Sequence, residues 1–324
     1  MESRRRLLAL PPALLAAAPC ARAQSSWPER AVRVIVPFPG GSTPDLAARV
    51  LLPHFQEVFG QPFVVENRAG AGGNIGTDLI AKATDGHTIG VSINGPLATA
   101  PFLFPNLPYD PARDIAPIAL LARTAQVLVV HPSLPARDLA GFIAHLRAEP
   151  GRLSYGSVGA GSGGHLAMVE LLHLTGTSAE HIPYRGFPQA VVDLVAGRIQ
   201  AMVLVLAGIL PQIREGQVRA LAVTSEQRLP QLPEVPTLIE AGFPDAVSHA
   251  WVGLIGPASM PAERIRRLSE ETRRALAAPA VRERLEAAGF SIHYLGPEQF
   301  RAHIAAEAAR WGALIRRFDI RADQ

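Results

Sequence analysis

Short apolar runs, many of them apolar throughout, alternate with segments of helical length along most of this chain, and this alternation constrains the fold more than any other feature. Strands that are apolar on both faces are typical of parallel sheets covered by helices, so the pattern predicts an α/β fold. The candidate strands are 31–36, 62–66, 88–93, 116–122, 126–131, 153–157, 199–205 and 218–223. The candidate helices are 44–58, 74–83, 138–148, 163–174, 187–196, 207–214, 261–277, 279–288 and 297–317, so that 261–317 is predicted to be entirely helical.

The first residues have the layout of an export signal. Arg4, Arg5 and Arg6 precede a short apolar stretch, and an A-x-A cleavage site ends at Ala23. We therefore expect residues 1–23 to be a signal peptide and the mature protein to lie in the periplasm, with general and twin-arginine export both open. Without that segment, acidic and basic side chains balance, so no nucleic-acid partner is expected.

Residues Phe38–Asp45, here called the first loop, connect a predicted strand to a predicted helix. Glycines let the backbone approach a ligand closely, and the N–H groups at a helix N-terminus can hold a carboxylate or a phosphate. The loop is not a phosphate-binding P-loop, because no Gly-Lys-Ser/Thr follows. An ordinary capped turn would explain the same residues. The candidate ligand contacts in this loop are Phe38, Gly40, Gly41, Ser42, Thr43 and Asp45.

Residues Ser157–His165, the second loop, repeat the arrangement of strand, glycines and helix. They allow two functions. Ser162 lies close to a G-x-S-x-G nucleophile pattern, so a secreted serine hydrolase is one alternative, with Asp193 or Asp245 and His249 or His293 completing the set. The other function is carboxylate binding, with His165 contacting the ligand or bracing the loop. The candidate ligand contacts here are Ser157, Gly159, Gly161, Ser162, Gly163 and His165.

A third glycine-rich segment, residues 66–76, follows a predicted strand. Its glycines have the spacing GxGxxxG, and no acidic residue stands where a dinucleotide ribose would need one, so we expect no nucleotide cofactor. Asn74 is instead a candidate ligand contact at the start of a helix. The histidines form no HExxH motif and no cluster with cysteine, so neither a metal site nor a catalytic metal is expected.

A faint internal repeat relates the two loops. The residues of "GSTPDLAARVLL" (41–52) align with those of "GSGGHLAMVELL" (161–172). A chain of this length has room for two domains with separate cores. The repeat therefore predicts two similar α/β units whose anion-binding loops face each other across a cleft.

The order of several segments resembles one known family. "PFPGG", "VVENRAGAGGNIG", "SYGSVGAGSGGHLAMVELL" and "HIPYRG" occur in the order typical of the Bug (Bordetella uptake gene) family, the TctC-like substrate-binding proteins of tripartite tricarboxylate transporters. The resemblance extends from about Trp27 to the C-terminus. It implies a periplasmic binding protein fold of type II, in which two α/β domains close around a small organic carboxylate held by both loops.

The resemblance also implies a discontinuous first domain. We expect residues 27–124 and 226–324 to form domain 1 and residues 125–225 to form domain 2, with hinges near 124–126 and 223–225. It implies a non-catalytic, monomeric receptor without cofactors that delivers its ligand to membrane permease subunits. Delivery to a signalling receptor is the alternative.

One residue departs from the family pattern. Many members carry an aspartate where this chain has Leu204, so the far end of the site is predicted to be apolar. Together with Phe38, this favours a mono- or dicarboxylate over a tricarboxylate such as citrate. Neither loop contains lysine or arginine, and we expect Arg68 and Arg185 to brace loops through buried pairs rather than to clamp the ligand.

Overall fold

The computed structural model describes residues 27–184 and 186–322. The predicted signal peptide and Arg185 lie outside the described residues. The strands are β1 (Val32–Val36), β2 (Phe63–Asn67), β3 (Thr88–Ile93), β4 (Ile115–Val130), β5 (Ser154–Ser157), β6 (Glu180–Pro183), β7 (Ala201–Val205), β8 (Arg219–Val223), β9 (His249–Pro257) and β10 (Ser291–Leu295).

The helices cover both faces of the sheet that these strands form. They are α1 (Thr43–Phe59), α2 (Asn74–Ala81), α3 (Ala100–Leu103), α4 (Pro111–Asp114), α5 (Leu139–Ala148), α6 (Gly163–Thr175), α7 (Phe187–Val195), α8 (Leu210–Arg214), α9 (Ala262–Ala277), α10 (Pro279–Ala287) and α11 (Pro297–Arg317). Among the described residues, none of these helices is both long and apolar enough to cross a membrane.

Strand β4 divides the 10-stranded sheet into two halves. Its first part pairs with β9 and β10, and its last part, from Gln126 onwards, pairs with β7 and β8, all antiparallel. Beyond β9, the strands β3, β1 and β2 follow, and β1 is parallel to both of its neighbours. Beyond β7, the parallel strands β5 and β6 complete the second half. Each half has the same plan, a parallel group joined to antiparallel strands at the centre.

The two halves belong to two lobes. The first lobe, residues 27–125 and 249–322, contains an apolar cluster that includes Phe55, Leu121 and Leu254. The second lobe, residues 126–248, has clusters on both faces of its strands. The irregular segment 226–248 packs with the second lobe, because Leu232 and Leu238 are buried in its clusters. Movement of one lobe relative to the other, on which the predicted domain division depends, stays a prediction.

Three passes of the chain meet where the lobes join. The backbone N–H of Gln126 donates to Thr224 Oγ1 at 3.0 Å, and the Thr224 N–H donates to the Gln126 carbonyl at 2.9 Å. Thr224 also donates from its hydroxyl to the carbonyl of Ser248 at 2.7 Å. The crossing is therefore a compact, hydrogen-bonded node and not a pair of loose linkers.

The α/β prediction is confirmed, with three corrections to the predicted elements. The candidate strands 116–122 and 126–131 are one continuous strand, β4. The expectation that 261–317 is entirely helical is wrong, because β10 interrupts it. Strands β6 and β9 were not predicted. In β9, the glycine at 253 leaves room for the ring of Phe300, whose Cζ would lie 2.2 Å from a Cβ at that position.

Candidate functional site

The first loop is held by a buried carboxylate. Asp45, which is 2% exposed, accepts hydrogen bonds from the Gly41 N–H at 2.8 Å, from Asn67 Nδ2 at 2.9 Å and from Arg49 Nε at 2.9 Å. Burial alone would raise the pKa of Asp45, but these hydrogen bonds outweigh it and hold the pKa below the usual 3.8. Gly41 has a φ of +79°, a conformation that glycine adopts without strain. The carboxylate thus fixes the turn that leads into α1.

Donors remain free where α1 begins. Ser42 occupies the N-cap position without a side-chain cap, and its hydroxyl is buried with no hydrogen-bond partner among the described residues. The first N–H groups of a helix have no intrahelical acceptor, which applies here to Thr43 and Asp45; Pro44 has no N–H. These groups, with the positive end of the helix dipole, form a place for an anion.

The second loop is held by two imidazoles. His165 Nδ1 accepts the Gly161 N–H at 2.9 Å. His181, on strand β6, lies with its Nε2 2.7 Å from Ser157 Oγ, and that hydroxyl donates to the Gly159 carbonyl at 2.9 Å. Ser162 caps α6 by accepting the His165 N–H at 3.4 Å.

Two side-chain amides converge on the start of α6. A methyl group at Gly163 would lie 3.3 Å from Gln126 Nε2 and 3.5 Å from Asn94 Nδ2, and both of these residues are buried. Asn94 follows β3 and precedes a π-helix, Gly95–Thr99, a distortion often found at functional sites. At Gly164 a side chain would collide with the Val203 carbonyl, 2.0 Å away. Glycine is therefore required at position 164, because the backbone of strand β7 approaches closely, and at position 163 a methyl group would touch both amides.

Each helix N-terminus faces the opposite lobe. Gly163, in the second lobe, lies beside Asn94 of the first lobe, and Gly161 lies against Leu103 of the first lobe. In the other direction, Thr43 at the start of α1 lines a cavity of about 30 Å³ with residues of the second lobe. That cavity is lined by Thr43, Leu46, Thr124, Val205, Ala207, Ala288 and Phe290. The site is thus a cleft with polar donors from both lobes and an apolar cavity beside α1.

The remaining candidate residues lie at varied distances from these donors. Phe38 is half-buried and its ring packs closely against Gly73. Asn74 is buried, and its Oδ1 accepts the hydroxyl of Tyr109 at 2.8 Å. Leu204 is 2% exposed and belongs to an apolar cluster of the second lobe. Their roles as ligand contacts, and that of Gly40 at the exposed tip of the first loop, stay predictions.

The expectation that Arg68 forms a buried ion pair is wrong. Its guanidinium pairs with Glu66, two residues earlier in the chain, and more than half of the Arg68 side chain is exposed. Glu66 also pairs with Arg33 at 2.8 Å. The pair therefore braces the strand end at the surface and is not buried.

The arrangement does not support the serine hydrolase alternative. Ser162 Oγ accepts a backbone N–H, and no described histidine side chain forms a hydrogen bond with it. Asp193 instead binds Tyr184 and Arg198, and His249 binds Glu226. The close pair of Ser157 and His181 is internal to the loop, since Ser157 is only 1% exposed. No group of three potential metal ligands occurs within the described part of the chain.

Three residues of the site were not predicted: Asn94, Gln126 and His181. Asn94 had a usable signal, because a polar residue directly after a buried parallel strand lies at the same sheet edge as the first loop. Gln126 interrupts an apolar run, which also marks it. Only the three-dimensional structure brings His181 onto the second loop.

Comparison with known proteins gives consistent relationships. The model of the tripartite tricarboxylate transporter family receptors, TctC, matches residues 47–320. Protein BugT of Bordetella pertussis is 39% identical over 294 residues, which cover 90% of each chain. The solved structure of Rpa4515 from R. palustris with adipate has a TM-score of 0.82 and 33% identity, covering 91% of this chain and 99% of the other. The periplasmic binding protein BugD has a TM-score of 0.78 and 30% identity, covering 90% of this chain and 98% of the other.

Proposed function

We propose that this chain, which belongs to the Bug/TctC family of tripartite tricarboxylate transporter receptors, captures a small organic carboxylate in the cleft between its lobes. The observation that carries the proposal is the pair of helix N-termini, α1 and α6, whose free donors face opposite lobes. The adipate bound to Rpa4515 supports a carboxylate as the ligand class. Because the family consists of receptors, we infer binding without catalysis.

Neutral donors supply the binding energy in this proposal. The carboxylate lies between Thr43 and Gly163, near the amides of Asn94 and Gln126 and near the hydroxyl of Ser42, which has no hydrogen-bond partner among residues 27–184 and 186–322. A hydrogen bond to a charged group contributes roughly 1.5–3 kcal/mol. Four such bonds contribute roughly 6–12 kcal/mol before the cost of ordering the ligand is subtracted, so we expect binding no tighter than about −8 kcal/mol, which is a Kd of about 1 μM.

The apolar cavity beside α1 would hold the other end of the ligand. Its lining contains two threonine hydroxyls and no charged group. One of them, Thr124 Oγ1, already donates to the Gly289 carbonyl at 2.9 Å. A volume of about 30 Å³ would hold about two water molecules. We therefore infer a ligand with a short apolar tail, contacted by Val205, the residue after Leu204, and a preference for monocarboxylates over citrate.

Ligand capture would close the lobes around the node at Gln126, Thr224 and Ser248. A ligand shifts the open and closed populations only by its different affinity for the two states. We place the hinge at 124–126 and at 248–249, because residues 226–248 pack with the second lobe. Small-angle scattering should then show a smaller radius of gyration at saturating ligand, and an unchanged curve would contradict closure.

The partners follow from the proposed role. We infer that the mature protein acts in the periplasm as a monomer and meets membrane permease subunits transiently, with delivery to a signalling receptor as the alternative. Pull-down of the ligand-bound protein from solubilised membranes, followed by mass spectrometry, distinguishes the two. Recovery of a sensor kinase without any permease subunit would favour signalling.

Binding is tested with a panel of acids and one matched pair of variants. The panel contains acetate, butyrate, succinate, adipate, citrate and the amides of the first two acids, measured by thermal shift and calorimetry. Gly163→Ala should weaken binding of the acids at least tenfold, because its methyl group projects between the Asn94 and Gln126 amides. Gly186→Ala, also at a helix start but with no atom closer than 3.8 Å, should leave Kd within twofold. Equal stabilisation by an acid and its amide would refute a carboxylate site.

A further inference from the structure

The two imidazoles behind the second loop form a stacked pair. The rings of His165 and His181 lie 3.8 Å apart between centroids and are inclined by only 10°. Tyr155 extends the stack, at 5.1 Å from His181 and 6.1 Å from His165. The pair joins helix α6 to strand β6, directly beneath residues 157–161. Each ring also makes one hydrogen bond to that loop segment, so stacking and loop geometry are coupled.

These hydrogen bonds define the protonation state that the loop requires. The Gly161 N–H can bind His165 Nδ1 only while that nitrogen has a free lone pair, so His165 must be neutral with its proton on Nε2. Ser157 donates its hydroxyl proton to the Gly159 carbonyl. His181 Nε2, 2.7 Å from the Ser157 oxygen, links the His181 ring to the loop through this hydroxyl.

The surroundings keep His165 uncharged. His165 is 5% exposed. Burial, followed by the adjacent His181, lowers its pKa to about 3. The titratable groups that face its ring are His181 on β6 and Tyr155 on β5, and burial raises the pKa of the Tyr155 hydroxyl. Within the described part of the chain, no carboxylate raises the pKa of this ring.

We propose that His165 and His181 are positioning residues of the carboxylate site. As stacked rings, with His165 neutral, they fix residues 157–161 so that the N–H groups of Gly163 and Gly164 point into the cleft. The effect reaches the ligand through the loop, since His165 uses Nδ1 to hold Gly161 and α6 begins two residues later. The proposal rests on the carboxylate-binding function and assigns these residues a role beyond packing.

Two substitutions at His165 separate the acceptor from the ring. In His165→Asn, Oδ1 replaces the Nδ1 acceptor, whereas His165→Leu keeps apolar bulk and has no acceptor. With butyrate as the probe at pH 7, we expect His165→Asn to keep Kd within about threefold of wild type. His165→Leu should raise Kd at least tenfold. Hydrogen exchange of the Gly161 amide, followed by NMR, should be slow in wild type and His165→Asn and fast in His165→Leu.

The outcomes separate the possible failures. Butyrate binding to His165→Leu within threefold of wild type overturns the proposal, as does an equal loss of binding in a folded His165→Asn. If His165→Leu does not fold, two variants of His181 are compared with the same limits on Kd. His181→Phe keeps an aromatic ring in the stack and loses the hydrogen bond to Ser157 Oγ, whereas His181→Gln keeps a polar group that can reach it. If no acid of the panel binds wild type, the proposed function fails, while an unprotected Gly161 amide in wild type would refute the positioning role separately.

Discussion

Removal of Arg310 should destabilise the junction of the lobes strongly. Arg310, on α11 of the first lobe, binds Glu170 on α6 of the second lobe through two contacts of 3.2 and 2.6 Å. Its guanidinium also donates to the carbonyls of Val247 at 2.7 Å and Asp245 at 2.8 Å, just before the chain crosses back. The same group lies 4.4 Å from the ring centroid of Trp311. One side chain therefore joins three segments at the hinge.

The size of the effect follows from the burial of Glu170. Its side chain is 13% exposed, whereas that of Arg310 is 34% exposed. Breaking a buried pair by removing one partner costs roughly 3–5 kcal/mol, and the partial exposure of Arg310 argues for the lower end. In Arg310→Met we expect the free energy of unfolding to fall by about 3 kcal/mol and Tm by about 6 °C. Urea unfolding followed by circular dichroism measures the change.

The proposed cause, an unpaired carboxylate, gives a further expectation. Burial raises the pKa of Glu170 above its usual value, and Arg310 partly offsets that increase. Without Arg310, protonation of Glu170 removes the cost of burying an unpaired carboxylate. The decrease in the free energy of unfolding caused by Arg310→Met should therefore be smaller at pH 5 than at pH 8. Adding Glu170→Gln to Arg310→Met should recover part of the stability. Arg301→Met, at an exposed position of the same helix, is the control.

The reasoning fails if the free energy of unfolding of Arg310→Met lies within 0.5 kcal/mol of that of Arg301→Met, a margin typical of neutral surface substitutions. It also fails if the double variant is no more stable than Arg310→Met. In that case the carbonyl contacts or the stacking on Trp311 would carry the stability.

Three other predictions concern the site. The pKa of His165 is about 3 in the folded protein against an ordinary 6.5, so the stability from its neutral form is complete above pH 6.5 and is lost as pH falls towards 3. As pH falls below 6.5, the free energy of unfolding of wild type, measured with urea, should therefore decrease faster than that of His165→Asn, by up to about 1.4 kcal/mol per pH unit. Parallel pH profiles of the two proteins would contradict this. Ala207→Leu should fill the cavity beside α1, so that butyrate binds at least tenfold more weakly while acetate changes less than threefold; equal losses would argue against an apolar tail. Asp45→Ala should cost about 2–4 kcal/mol in denaturant unfolding, because the Gly41, Asn67 and Arg49 donors lose their acceptor, and a cost below about 0.5 kcal/mol would show that the loop does not depend on it.

The sequence predicted those parts of the fold that have strong local signals. Strands such as β1 and β3 are rich in buried valine and isoleucine and were therefore predicted, and glycine and proline marked the start of α1. Strand β10 did not stand out, since the residues in Ser291–Leu295 are exposed or half-buried and show no alternation. Strand β9 contains two glycines, which weaken a strand pattern but here accommodate Phe300 and Met260.

The candidate site also combines features that have a local sequence signal with features that depend on tertiary contacts. Both loops were recognised, because glycine and serine before a helix form a local pattern. The function of Asp45 as a brace depends on Asn67, which lies 22 residues further along the chain. The pairing of His165 with His181 depends on strand β6, which the sequence did not reveal. Roles created by tertiary contact are therefore the part that local patterns cannot supply.

The position of β9 between β3 and β4 has a consequence for the order in which the chain can fold. All the strands of the second half-sheet come from residues 126–223, so that half can pair completely once this stretch is available. The first half-sheet remains split, with β3 and β4 unjoined, until residues 249–257 arrive and insert between them. Contacts between segments so distant in sequence form slowly, because the intervening loop must close first. As the chain is synthesised from its N-terminus, the lobe that begins the chain is therefore the last to be completed.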